Sequence, residues 1–176
     1  RSFKLGDRVI GALLLKPTDP AYASGWGGFS DYLIATDHAA MVADGVADAA
    51  HGWLEVFEIM RAVPADIPVE AAVLLCTWRE VYAAFGDFAL KAGDKVLIVG
   101  GGPVGMSFAR FGKLLGLGWI GLVDVLPEKR RTALAMGADA TFAPDDPALA
   151  ALAETIGPLD AVVDAVGRES IINMAL

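Results

Sequence analysis

"IVGGGPVGMSF", residues 98–108, decides the fold of this chain. An apolar run stops at three consecutive glycines, Gly100, Gly101 and Gly102, and resumes through Pro103, Val104 and a fourth glycine, Gly105. Such a string is either a flexible joint between buried segments or a turn built to hold phosphate. Its surroundings favour the second. "KVLIV" (95–99) is continuously apolar, as a strand buried on both faces is. Pro103 stands where a first helical turn tolerates a residue lacking an N–H. At a strand-to-helix turn Gly100 permits the tight bend, Gly102 lets the backbone approach a pyrophosphate, and Gly105 lets the helix pack on the strand. The unpaired amides and the dipole of the new helix attract phosphate.

The same alternation continues downstream. "WIGLVDV" (119–125) predicts a strand, Pro127 opens a helix, residues 140–142 form a short strand, 147–156 a helix and 160–166 another strand. Strands and helices in alternation, with strands that are nearly all apolar, make a parallel sheet covered on both faces. Asp124 ends the second strand 22 residues after Gly102, where a carboxylate accepts hydrogen bonds from a ribose diol. The competing role is to cap the next helix, but Pro127 at the first helical position makes Leu126 the cap. Val125 follows Asp124, so a 2′-phosphate would meet a carboxylate with no adjacent cation, and NAD is favoured over NADP. FAD proteins usually begin with such a unit; here some 90 residues of different character precede it.

Those residues read differently. "DRVIGALLL" and "FSDYLIATD" predict strands separated by a turn-rich stretch, and Trp53, Leu54, Phe57 and Met60 have helical spacing within 49–62. Pro68 and Glu70 open a further helix, mostly buried, with Cys76 in its middle. A lone cysteine in an apolar helix is ordinarily a core residue. His38 and His51 lack partners at ligand spacing and read as surface or capping residues. Phe29 and Tyr32 read as core and turn residues, and Gly27 and Gly28 as backbone joints. Asp164, near the end of the last strand, either approaches the cofactor crevice or caps the next helix.

With 176 residues, 55% hydrophobic, the chain supplies a buried core. Its net charge of −8 and scattered basic residues, apart from the run Lys129, Arg130 and Arg131, disfavour nucleic acid and anionic membrane surfaces. One cysteine excludes an intrachain disulfide, and no apolar signal core opens the chain. The longest apolar region, 96–125, is broken by Arg110, Lys113 and glycines, too often for a membrane span. A reducing cytoplasm is the expected compartment.

Taken in order, "LGDRVIG", "GGFSDYLIA", "PVEAAVLLC", "KAGDKVLIVGGGPVG", "VDVLPEKRRTALAMGADATF" and "LDAVVDAVG" resemble the zinc-type alcohol dehydrogenases of the medium-chain dehydrogenase/reductase superfamily. The resemblance implies an α/β architecture: a partial GroES-like β catalytic domain at 1–80, then a Rossmann doubly wound parallel sheet at 81–176. That sheet would be incomplete, because the chain is about half the family's length and ends after a fourth strand; a fragment is expected.

The resemblance also implies chemistry. Cys76, 24 residues before Gly100, lies near the family's third catalytic zinc ligand, and Thr77 and Glu80 become neighbours of the site. Glu80 is then a second carboxylate behind the metal, an alternative ligand, or a partner for Arg79. A four-cysteine structural zinc lobe is absent. The implied reaction is hydride transfer between NAD and a small alcohol or carbonyl substrate, aided by zinc as a Lewis acid, in a homo-oligomer when full length. Two other readings stay open: a zinc-free quinone or enoyl reductase, in which Cys76 only packs, and a nucleotide-binding module without catalysis.

Overall fold

A computed structural model describes residues 2–11 and 34–168. The chain divides into two compact units, 1–75 and 76–176.

In the first unit β1 (Val9–Ile10) pairs antiparallel with β2 (Arg61–Ala62). The pairing is extended by the Val63 amide, which donates to the Arg8 carbonyl at 2.7 Å. Phe57, Met60 and Val63 are buried beside it. Helix α1 (His38–Ala43) is capped by Asp37, whose side chain also accepts from the Ser2 amide at 2.7 Å, the Ser2 hydroxyl at 2.6 Å and the Phe3 amide at 3.0 Å. These bonds, the Ser2 hydroxyl foremost, hold the Asp37 carboxyl well below the usual carboxylate range.

Two expectations change in this unit. The helix predicted over 49–62 is two 3-10 turns, Ala49–His51 and Glu55–Ile59, followed by β2. Asp48 caps the first turn, Gly52 ends it at φ 73°, and Leu54 is extended, so the chain cannot run on as one helix. Strand 29–37 is not formed over its described residues, 34–37; its beginning, Phe29, Tyr32, Gly27 and Gly28 lie outside the described residues, as do residues 12–15 of strand 7–15, of which Val9–Ile10 is formed. His51 ends the first of these turns, exposed as a surface residue is expected to be, and pairs with Asp48 at 2.8 Å.

The segment from Pro68 forms α2 (Val69–Ala72) and then α3 (Leu75–Asp87). Bonds reaching back only three residues, from Ala71 to Pro68 and from Leu74 to Ala71, tighten α2 and interrupt the expected continuous helix.

The second unit is an open parallel sheet. Its strands are β3 (Lys95–Val99), β4 (Trp119–Val123), β5 (Ala140–Phe142) and β6 (Ala161–Asp164), in the order β5-β4-β3-β6. Helices α4 (Pro103–Leu115) and α5 (Pro127–Met136) make the crossovers from β3 to β4 and from β4 to β5. The span expected as one helix over 147–156 divides at Ala151 into α6 (Pro147–Ala150) and α7 (Leu152–Ile156), which connect β5 to β6.

Because side chains alternate along a strand, the sheet has two apolar faces. On one, Val96, Ile98, Ile120, Leu122 and Val163 pack with Phe108 and Ala109 of α4, Ala133 of α5, and Val81 and Phe85 of α3. On the other, Leu97, Val99, Val123 and Phe142 pack with Leu152. Ile98, Ile120 and Leu122 are fully buried, each worth about 1.5–3 kcal/mol against exposure. The fold is therefore doubly wound, with its direction reversing at β3: β4 and β5 extend the sheet to one side and β6 to the other. Ligands of such sheets bind beyond the carboxyl ends of the strands at that reversal. Here that place is Gly100.

Candidate functional site

The glycine turn leaves β3 and enters α4. Gly100 has φ 107°, and a Cβ there would lie 2.7 Å from the Val166 side chain. Gly105 is tighter still, since an added Cβ would come 1.8 Å from the Gly100 carbonyl oxygen. Helix and turn touch there. Gly102 is the opposite case: its φ is −81°, and nothing lies within 4 Å of an added Cβ. Helical bonding begins with the Met106 amide donating to the Gly102 carbonyl at 2.9 Å, so the amides ahead of it are unclaimed by the helix. Pro103 is the first helical residue and Val104, the second, is exposed. Open space lies beside those amides.

Asp124 sits just past the carboxyl end of β4 and is buried. One carboxylate oxygen accepts the Gly101 amide at 2.6 Å, and the other accepts the Leu126 amide at 2.9 Å. Leu126 is the cap residue of α5, with no side-chain cap bond. The carboxylate is thus tied directly to the glycine turn. The residue that ties it, Gly101, is the one glycine of the string to which spacing alone gives no role.

The expectation that no cation stands beside Asp124 is corrected here. Lys129 Nζ lies 3.9 Å from its carboxylate, and Arg130 Nη1 donates to the carbonyls of Asp124 at 2.7 Å and Val125 at 3.1 Å. Both cations come from the beginning of α5, five and six residues past Asp124, where a helix folds its first turn back over the strand end. In the sequence they stand out only as a short basic run.

Cys76, Thr77 and Glu80 lie on the first two turns of α3. Cys76 is exposed, correcting its expected place within a mostly buried helix; Val81 and Phe85 are the buried residues of α3. Thr77 is half-buried and Glu80 exposed. Cys76 and Glu80, four apart, share a helix face. Among the described residues no group of three or more His, Cys, Asp or Glu side chains could hold a metal ion. Cys76 is one donor where an open catalytic zinc takes three from protein, so the described residues do not make a zinc site.

The remaining candidates are structural. His38 Nδ1 accepts the Trp53 indole N–H at 2.9 Å. Asp164 accepts the amides of Val166 and Gly167 at 2.8 and 3.0 Å, shaping the turn that packs on Gly100. A cavity of about 730 Å³ opens on the α6–α7 side of the sheet, lined by Leu97, Val99, Leu149, Leu152 and Val162 among others. It contains none of the candidate residues, and its apolar wall offers no phosphate cradle. No helix among the described residues is long and apolar enough to cross a membrane.

No family model matches the chain. In sequence it is 26% identical over 141 residues to a sorbitol dehydrogenase of Bombyx mori, covering 78% of this chain and 39% of that protein. Among solved structures, an alcohol dehydrogenase from Thermus sp. ATN1 superposes with a TM-score of 0.58 at 27% identity, over 66% of this chain and 34% of that one. A protein of Sinorhizobium meliloti 1021, assigned to the zinc-binding dehydrogenases and bound to NADP, gives 0.57 at 26% identity, over 68% and 36%. The chain thus spans well under half the length of these relatives. Its fold is that of the Rossmann dehydrogenases. Within that class it is similar, over part of their length, to alcohol and polyol dehydrogenases of the medium-chain dehydrogenase/reductase superfamily.

Proposed function

We propose that this chain carries the NAD-binding part of an oxidoreductase that moves hydride between a nicotinamide and a small alcohol or polyol. The observation that supports the reading is the pairing of an open glycine turn with a buried carboxylate, through the Gly101–Asp124 bond of 2.6 Å. The amides of Gly102, Val104 and Gly105, on either side of Pro103 at the start of α4, would take the pyrophosphate, helped by the helix dipole. Asp124 would accept the hydroxyls of the adenosine ribose, each carboxylate oxygen having lone-pair capacity beyond its one amide bond. When bound, the nicotinamide supplies the hydride acceptor.

In the same reading Cys76 contributes one thiolate toward a metal, and Thr77 and Glu80, beside it on α3, face the substrate. A zinc ion held by Cys76 together with donors elsewhere in the whole protein would act as a Lewis acid toward the substrate oxygen. The dehydrogenase relatives support the reaction class; the polyol is favoured by the likeness to sorbitol dehydrogenase.

Gly102→Ala tests the cradle. Alanine is at ease at φ −81° and meets no protein atom, so the fold tolerates it, yet its methyl fills the space proposed for phosphate. Calorimetry with NAD is expected to show binding weakened about tenfold or more, roughly 1.4 kcal/mol, at an unchanged melting temperature. Equal NAD affinity in the two proteins would overturn the reading.

A further inference from the structure

Gly100 is held from two sides, and one of them is an element to which the cradle reading gives no part. Toward β4 its amide donates to the Val123 carbonyl at 2.8 Å. Toward β6 it meets the turn 165–167: the Val166 side chain lies 2.7 Å, and the Ala165 carbonyl oxygen 3.2 Å, from the place a Cβ on Gly100 would take. The β3 ladder reaches as far as Ala165, whose amide donates to the Val99 carbonyl at 2.9 Å. Beyond it the backbone turns to a side chain. Asp164 Oδ1 accepts the Val166 amide at 2.8 Å and the Gly167 amide at 3.0 Å. One carboxylate oxygen thus fixes the residue whose side chain stands against Gly100.

We propose that Asp164 is a positioning residue for the dinucleotide: it holds Val166 against Gly100, and so keeps the amides that follow Gly100 aimed at the pyrophosphate, without touching the ligand. The proposal rests on the reading of the glycine turn as a dinucleotide cradle. Gly100 has φ 107°, a region open to it because it lacks a Cβ, and a residue with that freedom keeps one conformation only where its neighbours hold it. Val123 fixes its amide, and Val166 closes the space on its other side. With Val166 released, the arriving ligand would have to order the turn, and affinity would fall by that cost. Asp164 is exposed and takes no part in the apolar packing of either sheet face, so the loss should fall on binding more than on folding. The role asks for an acceptor oxygen at the reach of an aspartate or asparagine side chain. It does not ask for a negative charge.

Three substitutions separate geometry from charge. Asp164→Asn keeps an oxygen at that reach and gives up the charge; Asp164→Glu keeps the charge and moves it by one methylene; Asp164→Ala keeps neither. Affinities of the full chain for NAD and ADP are to be measured by calorimetry, with thermal unfolding checking each fold. Asp164→Ala and Asp164→Glu are expected to bind both ligands roughly tenfold more weakly than the unaltered chain, and Asp164→Asn to stay within about threefold of it. Val166→Ala, which removes the methyl groups facing Gly100, should lose about as much as Asp164→Ala. The double variant should lose no more than either alone, because both act through one contact.

If Asp164→Glu binds as the unaltered chain does while Asp164→Asn does not, the residue supplies charge and not position, and the proposal is overturned. It is equally overturned if Asp164→Ala leaves both affinities unchanged, or if the losses of Asp164→Ala and Val166→Ala add in full. In each of these cases NAD binding that Gly102→Ala weakens leaves the cradle standing. Should Asp164→Ala fail to fold, the comparison of Asp164→Asn with Asp164→Glu decides. If the unaltered chain binds neither NAD nor ADP, the cradle reading falls and takes the proposal with it.

Discussion

The two units of this chain are held by different means. In the second, four parallel strands carry apolar side chains on both faces, with helices over each, and its fully buried residues are aliphatic. In the first, a two-residue ladder and short turns are tied largely by side-chain bonds: Asp37 to Ser2 and Phe3, Arg8 to the Ile67 carbonyl at 2.7 Å, Trp53 to His38. Regular apolar burial is sensitive to changes of volume and to close contact; polar stitching is sensitive to the loss of single hydrogen-bond partners. Substitutions can separate the two.

The largest effect is expected at Gly105→Ala. A methyl group directed 1.8 Å from a backbone oxygen has no flexible neighbour to displace, so α4 must leave β3. A loss of several kcal/mol is expected, which for a unit of this size lowers the melting temperature by well over 10 °C. A melting temperature within a few degrees of the parent's would show that the helix and turn are not in contact. Ile98→Ala should come next, at about 2–5 kcal/mol, because it empties the centre of a packed face. Urea unfolding measures it, and a value under 1 kcal/mol would place Ile98 outside the core.

Asp37→Ala should act least, at about 1 kcal/mol as for a lost helix cap, and it should act through pH. Folding lowers the Asp37 pKa, so its contribution is complete above the ordinary aspartate value of about 3.9 and fades as pH falls below it. Acid titration of the parent and of Asp37→Asn, tracked by unfolding midpoints, should converge at low pH. A difference that grows as pH falls would contradict the sign.

The same contrast governs what is legible in the sequence. Strands 95–99 and 140–142 and the helix from Pro103 to Leu115 match the structure because uninterrupted apolar runs, prolines and glycines determine them locally. The last strand, Ala161–Asp164, is shorter at both ends than its apolar run suggests, and the 49–62 segment is not the helix its spacing predicts. The helical spacing of Trp53, Phe57 and Met60 is real, but Gly52 and the extended Leu54 break the path, while the Trp53 indole is claimed by His38, 15 residues away. Periodicity carries no signal for such a partner. In the candidate site, the glycines and Asp124 are legible because their spacing is local to one strand–helix–strand unit. Lys129 and Arg130 are not, since only the return of α5 over the end of β4 turns a basic run into neighbours of that carboxylate.

Strand β3 has a partner on each side, β4 and β6, along nearly its whole length. Its amides should therefore be among the last to exchange with solvent deuterium, and Gly100 hangs from the end of that protected strand. A seat fixed in this way is preorganised: a dinucleotide arriving there would meet amides already aimed, and little of its binding energy would be consumed in ordering the chain.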